Sequence, residues 1–206
     1  MPKPYIPNDE WSRKAAEEGY RARSVYKLIE LDERFHLLEP GQLVVDLGAA
    51  PGSWLQYAGK AVGPKGLVLG FDTKEIEPVG ANVKTFVADI TDASAINAIV
   101  KKEAMREADV VMSDAMPNTS GIKDVDQWRS VEIAQAAFAI ADAILKPDGH
   151  CIAKVFRGAD FDEFFGQIRH KWFDVEFVKA DASRDRSREV YMIARKGNFQ
   201  YKREGL

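Results

Sequence analysis

From residue 43 onward the chain alternates between short apolar runs and longer amphipathic stretches. "QLVVDLG", "GLVLGFD", "NVKTFVAD", "ADVVMSD", "HCIAKVF", "FDVEFVKA" and "EVYMIARK" have the length and the β-branched or aromatic content of strands. Helical patterns fall between them, over Trp54 to Val62, through "ASAINAIVKKEA", over Val125 to Leu145 before a closing "KPDG", and over Phe161 to Lys171. Short apolar strands alternating with helices predict an α/β fold of seven strands, mostly parallel, with helices on both faces of the sheet. Only the polar loop "DASRDRS" separates the last two strands. That is too short for a helical crossover, so the final strand should run antiparallel. Upstream, "WSRKAAEEGY" and "SVYKLIELDERF" predict one or two helices laid against the sheet. There is no internal repeat and no low-complexity linker. The expectation is one domain over 1–206, with a helical appendage at 1–40 and the core at 41–206.

Composition narrows the class. With 206 residues, 46% of them hydrophobic and 30% charged, the chain can bury one sizeable core, which excludes global disorder. A formal net charge of −3 argues against an overall nucleic-acid coat, so contact with RNA or DNA needs a local basic face. The single cysteine, Cys151, excludes an internal disulfide framework and reads as a small buried hydrophobe in a reducing compartment. His36, His150 and His170 lack ligand spacing, so no metal is expected. The opening "MPKPYIPNDEW" has no signal-peptide core, and no run reaches the roughly 20 apolar residues of a membrane helix. A soluble, cytoplasmic protein is expected.

The candidate chemistry begins in "VVDLGAAPGSW". In a sheet of this kind ligands bind outside the carboxyl ends of the strands, and the loop after the first strand is the usual contact. A nicotinamide-binding loop wants G-x-G-x-x-G, which seats a pyrophosphate on the helix N-terminus. Here Gly48 and Gly52 are spaced G-x-x-x-G, with Ala50 and Pro51 between them. That spacing disfavours a nicotinamide-dependent oxidoreductase. It suits an adenosine ligand without phosphates, such as S-adenosylmethionine. Four successive strands end in or near an acid, at Asp46, Asp72, Asp89 and Asp114. One such acid commonly caps the next helix, but four on one edge point to a site. Asp72 is placed for ribose hydroxyls and Asp89 for adenine.

Lys154 interrupts a strand that should be buried on both faces. A lysine there marks an edge strand or a snorkelling side chain, or else it belongs to a site. Its neighbours favour the last, because Asp114 ends one strand, Lys154 lies near the end of the next, and Glu189 begins an antiparallel one. Lys27 could add a second cation, although its own helix reads it as a solvated position.

With these residues placed, the chain resembles the FtsJ/RrmJ family of S-adenosylmethionine-dependent RNA ribose 2′-O-methyltransferases. "RARSVYKL", "VVDLGAAPGSW", "VMSDAMPNTSG", "AKVFRG" and "SREVYMIA" occur in the family's order and spacing and cover nearly everything beyond residue 20. The resemblance implies a Rossmann-like methyltransferase sheet and a catalytic set of Lys27, Asp114, Lys154 and Glu189. It implies cofactor contacts at Gly52, Trp54, Asp72, Asp89 and Asp114. In that reading Asp114 and Glu189 hold Lys154, and Lys27 positions the nucleotide. Two departures bear on the cofactor's fit. Ser53 stands where the family has a second glycine, and Ala115 precedes Met116 where the family has the reverse order.

RNA would be met through local charge, at Arg21 and Arg23 before Lys27, Arg157 after Lys154, and Arg184, Arg186 and Arg188 before Glu189. By its similarity to bacterial-type relatives, the substrate implied is a uridine in large-subunit ribosomal RNA. The alternatives are a tRNA ribose, a messenger cap, or an RNA-binding assembly factor whose methyl transfer is incidental.

Overall fold

The structure, a computed structural model, describes residues 10–117, 119–183 and 187–197. Seven strands build one sheet: β1 (Leu43–Leu47), β2 (Leu67–Asp72), β3 (Val83–Val87), β4 (Ala108–Ser113), β5 (Leu145–Phe156), β6 (Phe173–Val178) and β7 (Glu189–Arg195). Their order is β3-β2-β1-β4-β5-β7-β6. All neighbours pair in parallel except β7, which is antiparallel to both β5 and β6. This is the Rossmann-like, mostly parallel sheet expected, with its one reversed strand enclosed between two others.

The sheet carries helices on both faces because its central strands are apolar on both sides. Val44, Val68, Val110, Met112 and Ile152 pack with Leu28 and Leu31 of α2 (Val25–Phe35) and with Trp54, Leu55 and Ala58 of α3 (Ser53–Val62). Alternate residues, Leu43, Val45, Val111, Cys151 and Met192, face α4 (Ala93–Ala104), α5 (Lys123–Ile144) and α6 (Phe161–Lys171). Every residue of β1 and β4 is buried, whereas β3 and β6 at the two edges are largely exposed or half-buried. The two helix-facing sets follow the two-residue strand period and select a single register.

One boundary differs from expectation. "KPDG" does not close α5 but lies inside β5, which starts at Leu145 opposite Ala108. The register shifts between Ala108 and Val110. Lys146 pairs with Asp109 at 2.5 Å, and Asp148 and Gly149 exchange backbone bonds with Lys196. Those tertiary partners keep the segment in the sheet as a bulge, with Asp148 at φ +62°, rather than letting the strand begin only at His150.

The upstream segment comprises α1 (Glu10–Glu17) and α2. It is joined to the core at several points. Trp54 Nε1 donates to the Ser24 carbonyl at 2.8 Å, Asp181 N donates to the Glu30 carboxylate at 2.8 Å, and Tyr57 OH donates to Asp32 at 2.8 Å.

Strand order reverses between β1 and β4, and there the two following loops touch. Gly48 has φ +78°, and a Cβ built on it would come within 2.5 Å of Ala115 Cβ and 2.8 Å of Ala115 Cα. Only glycine fits that backbone and that approach. Gly48→Ala should therefore cost more than about 1 kcal/mol, read as a lower urea midpoint at an unchanged m-value. A midpoint equal to the parent's would mean that the two loops separate freely.

Candidate active site

Four charged side chains from four elements meet at the carboxyl end of the sheet. Ser113, the last residue of β4, is in register with Ala153, so Asp114 emerges beside Lys154. Lys154 is in register with Tyr191, and Phe156 with Glu189. Alternate positions of β7 therefore bring Glu189 and Tyr191 to the same face. From α2, Lys27 reaches in beside Leu28 and Leu31.

The contacts sort these groups into two pairs. Lys154 Nζ donates to Asp114 Oδ1 at 2.8 Å and to the Asp114 carbonyl at 2.5 Å. Lys27 Nζ lies 2.5 Å from Glu189 Oε1, which also accepts from Ser183 Oγ at 2.6 Å. Tyr191 OH donates to Asp114 Oδ1 at 2.6 Å, and Lys27 Nζ lies 5.9 Å from the centre of the Tyr191 ring. Lys27, Lys154 and Glu189 retain only 8%, 6% and 7% of their exposure.

Two expectations need correction. Lys27 is not a solvated helix residue; it falls on the buried face of α2, where Glu189 supplies its counter-charge. Glu189 does not hold Lys154 by a hydrogen bond. Its bonds go to Lys27 and Ser183, and it acts on Lys154 only through space.

Burial works against charge on Asp114 and Glu189, yet both carboxyls are held below the usual range. For Asp114, Lys154 and then Lys27 outweigh burial, helped by bonds from Lys154 and Tyr191. For Glu189, the Lys27 charge and hydrogen bond do so, followed by Ser183. The Tyr191 phenol is pushed well up, first by burial and then by Asp114 and Glu189, so it remains a donor at neutral pH.

Beside this set opens a cleft of about 540 Å³ whose lining includes Gly48, Asp72, Asp89, Asp114, Met116 and Lys154. Asp72 Oδ2 accepts from Ala50 N at 2.9 Å and Oδ1 from Lys74 N at 2.9 Å, so this carboxylate shapes the first loop as well as facing the cleft. Asp89 Oδ1 accepts from the Thr91 amide and hydroxyl, each at 2.8 Å. Those two bonds, the amide first, keep its carboxyl ionised against a small burial cost. Of the other predicted cofactor contacts, Gly52 (φ +104°) precedes α3 and faces Arg21, Ile76 and Val79. Trp54 is buried behind the cleft, its ring centre 5.9 Å from that of Tyr191. The structure also accounts for both departures from the family pattern. Ser53 Oγ is 3.0 Å from Ser24 Oγ and links α3 to the upstream arm, and the small Ala115 is what Gly48 can approach.

The predicted RNA-facing arginines have partners within the chain. Arg21 donates to three carbonyls around the first two loops. Arg23 donates to the Ala182 carbonyl at 3.1 Å, and Arg188 to the Lys123 carbonyl at 3.1 Å. The Arg157 guanidinium lies 5.1 Å from the Phe177 ring centre and 5.7 Å from that of Phe161. Arg184 and Arg186 lie outside the described residues.

Sequence reasoning missed Tyr191, Ser183 and the burial of Asp46. Tyr191 was accessible through the period of β7, two residues beyond Glu189. Ser183 had no such signal, because only the fold returns its loop to Glu189. Asp46 is 1% exposed, and its Oδ2 has no hydrogen-bond partner. It borders a small cavity with Ser24, Ser53, Trp54 and Asp114. Burial first, then Asp114 and Asp72, push its carboxyl well above the ordinary value.

Comparison with known proteins places the chain in a family. The model of the FtsJ-like methyltransferase family matches residues 20–197. A ribosomal RNA large subunit methyltransferase E from Bdellovibrio bacteriovorus is 41% identical over 192 residues, covering 92% of this chain and 96% of that protein. One from Methanothrix thermoacetophila is 44% identical over 188 residues, covering 91% and 72%. A solved structure assigned as a ribosomal RNA methyltransferase from Plasmodium falciparum superposes with a TM-score of 0.77 at 24% identity, covering 86% of this chain and 98% of its own. That last likeness speaks to the fold.

The Asp46 carboxyl sets a pH dependence. Its folded pKa lies above the unfolded value of about 3.9, so its contribution to stability is complete below that value and is lost as pH rises toward the folded pKa. Asp46→Asn cannot ionise and should melt higher than the parent near neutral pH, with the gap closing as pH falls toward about 4. A gap independent of pH would mean that Asp46 does not titrate in this way.

Proposed function

This chain belongs to the FtsJ-like methyltransferase family, and from that premise we propose that it moves a methyl group from S-adenosylmethionine to a ribose 2′-hydroxyl of large-subunit ribosomal RNA, at a uridine. The observation that carries the reading is the Asp114–Lys154 pair, joined through Tyr191 to the Lys27–Glu189 pair and opening on the cleft. Methyltransferase relatives named for large-subunit ribosomal RNA support the substrate. That substrate sets the enzyme in the cytoplasm. Among the described residues no helix is long and apolar enough to cross a membrane, and no cluster of three or more His, Cys, Asp or Glu could hold a metal ion.

The residues present suit S-adenosylmethionine. Asp72 and Asp89 offer carboxylate oxygens at the cleft wall for hydroxyl and amine donors, and Gly48 and Ala50 of the first loop line the same cleft. The loop supplies no G-x-G-x-x-G cradle for a pyrophosphate. When bound, the cofactor supplies an electrophilic methyl group on a sulfonium and departs as a neutral thioether.

The rest of the chemistry belongs to the chain. Lys154 Nζ redirects the proton of the 2′-hydroxyl, and accepts it outright only once its own ammonium proton has been released to solvent. Asp114, fixed from a second side by Tyr191, holds Lys154 at the end of β5. Lys27, pinned by Glu189, presents a second cation that orients the incoming nucleotide. A neutral leaving group needs no proton, so orientation supplies much of the acceleration. The exposed Arg157, within 5.1 Å of the Phe177 ring centre and 5.7 Å of that of Phe161, stands beside this edge for RNA phosphate.

The test offers labelled S-adenosylmethionine with under-methylated large subunits, free ribosomal RNA and bulk tRNA, and maps the label by resistance to alkaline cleavage. One labelled uridine ribose in large-subunit RNA is the expected result. Label confined to tRNA would keep the chemistry and reject the substrate. Lys154→Ala should lose about a hundredfold or more in turnover while binding cofactor within a factor of about two of the parent. Parent-like turnover in that variant would remove Lys154 from the mechanism.

A further inference from the structure

Arg21 was expected to face RNA, but its guanidinium turns to backbone carbonyls of the two loops that border the cleft. Nη1 donates to the carbonyl of Pro51 at 3.0 Å and to that of Glu77 at 2.8 Å, and Nη2 donates to the carbonyl of Pro78 at 2.8 Å. Pro51 sits in the loop after β1. Glu77 and Pro78 sit in the segment after β2, whose first residues, Thr73 and Lys74, line the cleft beside Asp72 at the end of β2. One side chain therefore ties together the two loops between which the cofactor would lie.

The same residue is anchored through its backbone. Arg21 N donates to Gln56 Oε1 at 2.9 Å, and Gln56 Nε2 donates back to the Gly19 carbonyl at 2.9 Å. Three residues later Ser24 meets Ser53 and Trp54, and three beyond that is Lys27. Gly52 completes the arrangement, because a Cβ there would lie 2.9 Å from Arg21 Nη1. The glycine leaves room for the guanidinium.

We propose that Arg21 is a positioning residue for the cofactor, a three-carbonyl tie that holds the two cleft loops in their binding geometry and couples them to the arm carrying Lys27. The inference rests on the reading of the cleft as an S-adenosylmethionine site. Its chemistry is specific to arginine. A planar fork reaches acceptors on separate loops at once, whereas an ammonium is a single point of contact. Linkage makes the coupling reciprocal, so a ligand that needs the tied loops also orders the arm that ties them.

The experiment uses the full chain and three variants, Arg21→Ala, Arg21→Lys and Gln56→Ala. S-adenosylmethionine and S-adenosylhomocysteine are titrated calorimetrically into each. RNA binding is followed against salt in parallel, and hydrogen exchange of residues 19–27 is measured with and without S-adenosylhomocysteine. Arg21→Ala should weaken both ligands about tenfold, Arg21→Lys should recover little of the loss, and millimolar methylguanidinium should restore part of it in Arg21→Ala. Ligand should slow exchange of the arm in the parent and not in Arg21→Ala. Gln56→Ala, which frees the backbone anchor but leaves the fork in place, should bind the ligands as the parent does. The salt slope of RNA binding should be the same for Arg21→Ala and the parent. Parent-like ligand affinity in Arg21→Ala would overturn the proposal, and a salt slope lowered by about one would then make Arg21 a phosphate contact instead. A parent chain that binds neither ligand would overturn the cofactor reading itself, a result distinct from any behaviour of the variants.

Discussion

The site depends on keeping two ammonium groups and two carboxylates together where little water reaches them. Burying one such charge alone is prohibitive, and a buried pair is tolerated only with good geometry and satisfied hydrogen bonds. Here Lys154 is matched with Asp114 and Lys27 with Glu189, and Tyr191 and Ser183 supply the remaining donors. The arrangement is neutral overall but polarised locally. Removing any one member leaves a buried charge unmatched, so the four act as a unit and their individual contributions do not add.

Much of the fold outside the sheet serves that set. β7 must run antiparallel, because only its first residue and the next-but-one then fall beside the end of β5. The upstream arm must be stitched to α3 and to the loop before β7, because Lys27 comes from outside the sheet and has no strand register to place it. Glu30 receives the Asp181 amide, and Ser183, two residues on, reaches Glu189. The pairing partner of Lys27 is thus set in place by a neighbour on the helix of Lys27 itself. Acids in this region are shifted in opposite directions although they lie close together. Asp114 is held below the usual range by the lysines beside it, while burial and the neighbouring Asp114 and Asp72 push Asp46 well up. Environment rather than residue type makes that distinction.

Strand count, helix positions, the antiparallel last strand and the convergence of Asp114, Lys154 and Glu189 on one edge were all legible before any coordinates. They rest on the two-residue strand period, on loop lengths, and on the rule that parallel strands put their carboxyl ends together. Asp72 and Asp89 were legible for the same reason. Tyr191 could have been read from that period. Lys27 could not be placed by its own helix, since a lysine among mixed neighbours looks solvated until a buried acid opposite is known. Arginine roles were the least legible. The sequence shows clustered cations, but whether a guanidinium meets a phosphate or a backbone carbonyl depends on what the chain folds beside it.

What the amino-acid sequence determined by itself was local periodicity and the succession of elements, and with them the sheet, its two helical faces and the edge on which chemistry gathers. Tertiary structure alone decided how the four charges pair, that Glu189 serves Lys27 rather than Lys154, that "KPDG" bulges within β5, and that Arg21 turns to three carbonyls. The physical reason is range. A hydrophobic period acts within a few residues and can be counted along the chain. A buried charge selects its partner by distance and desolvation across segments far apart in sequence, and those distances exist only once the chain has folded.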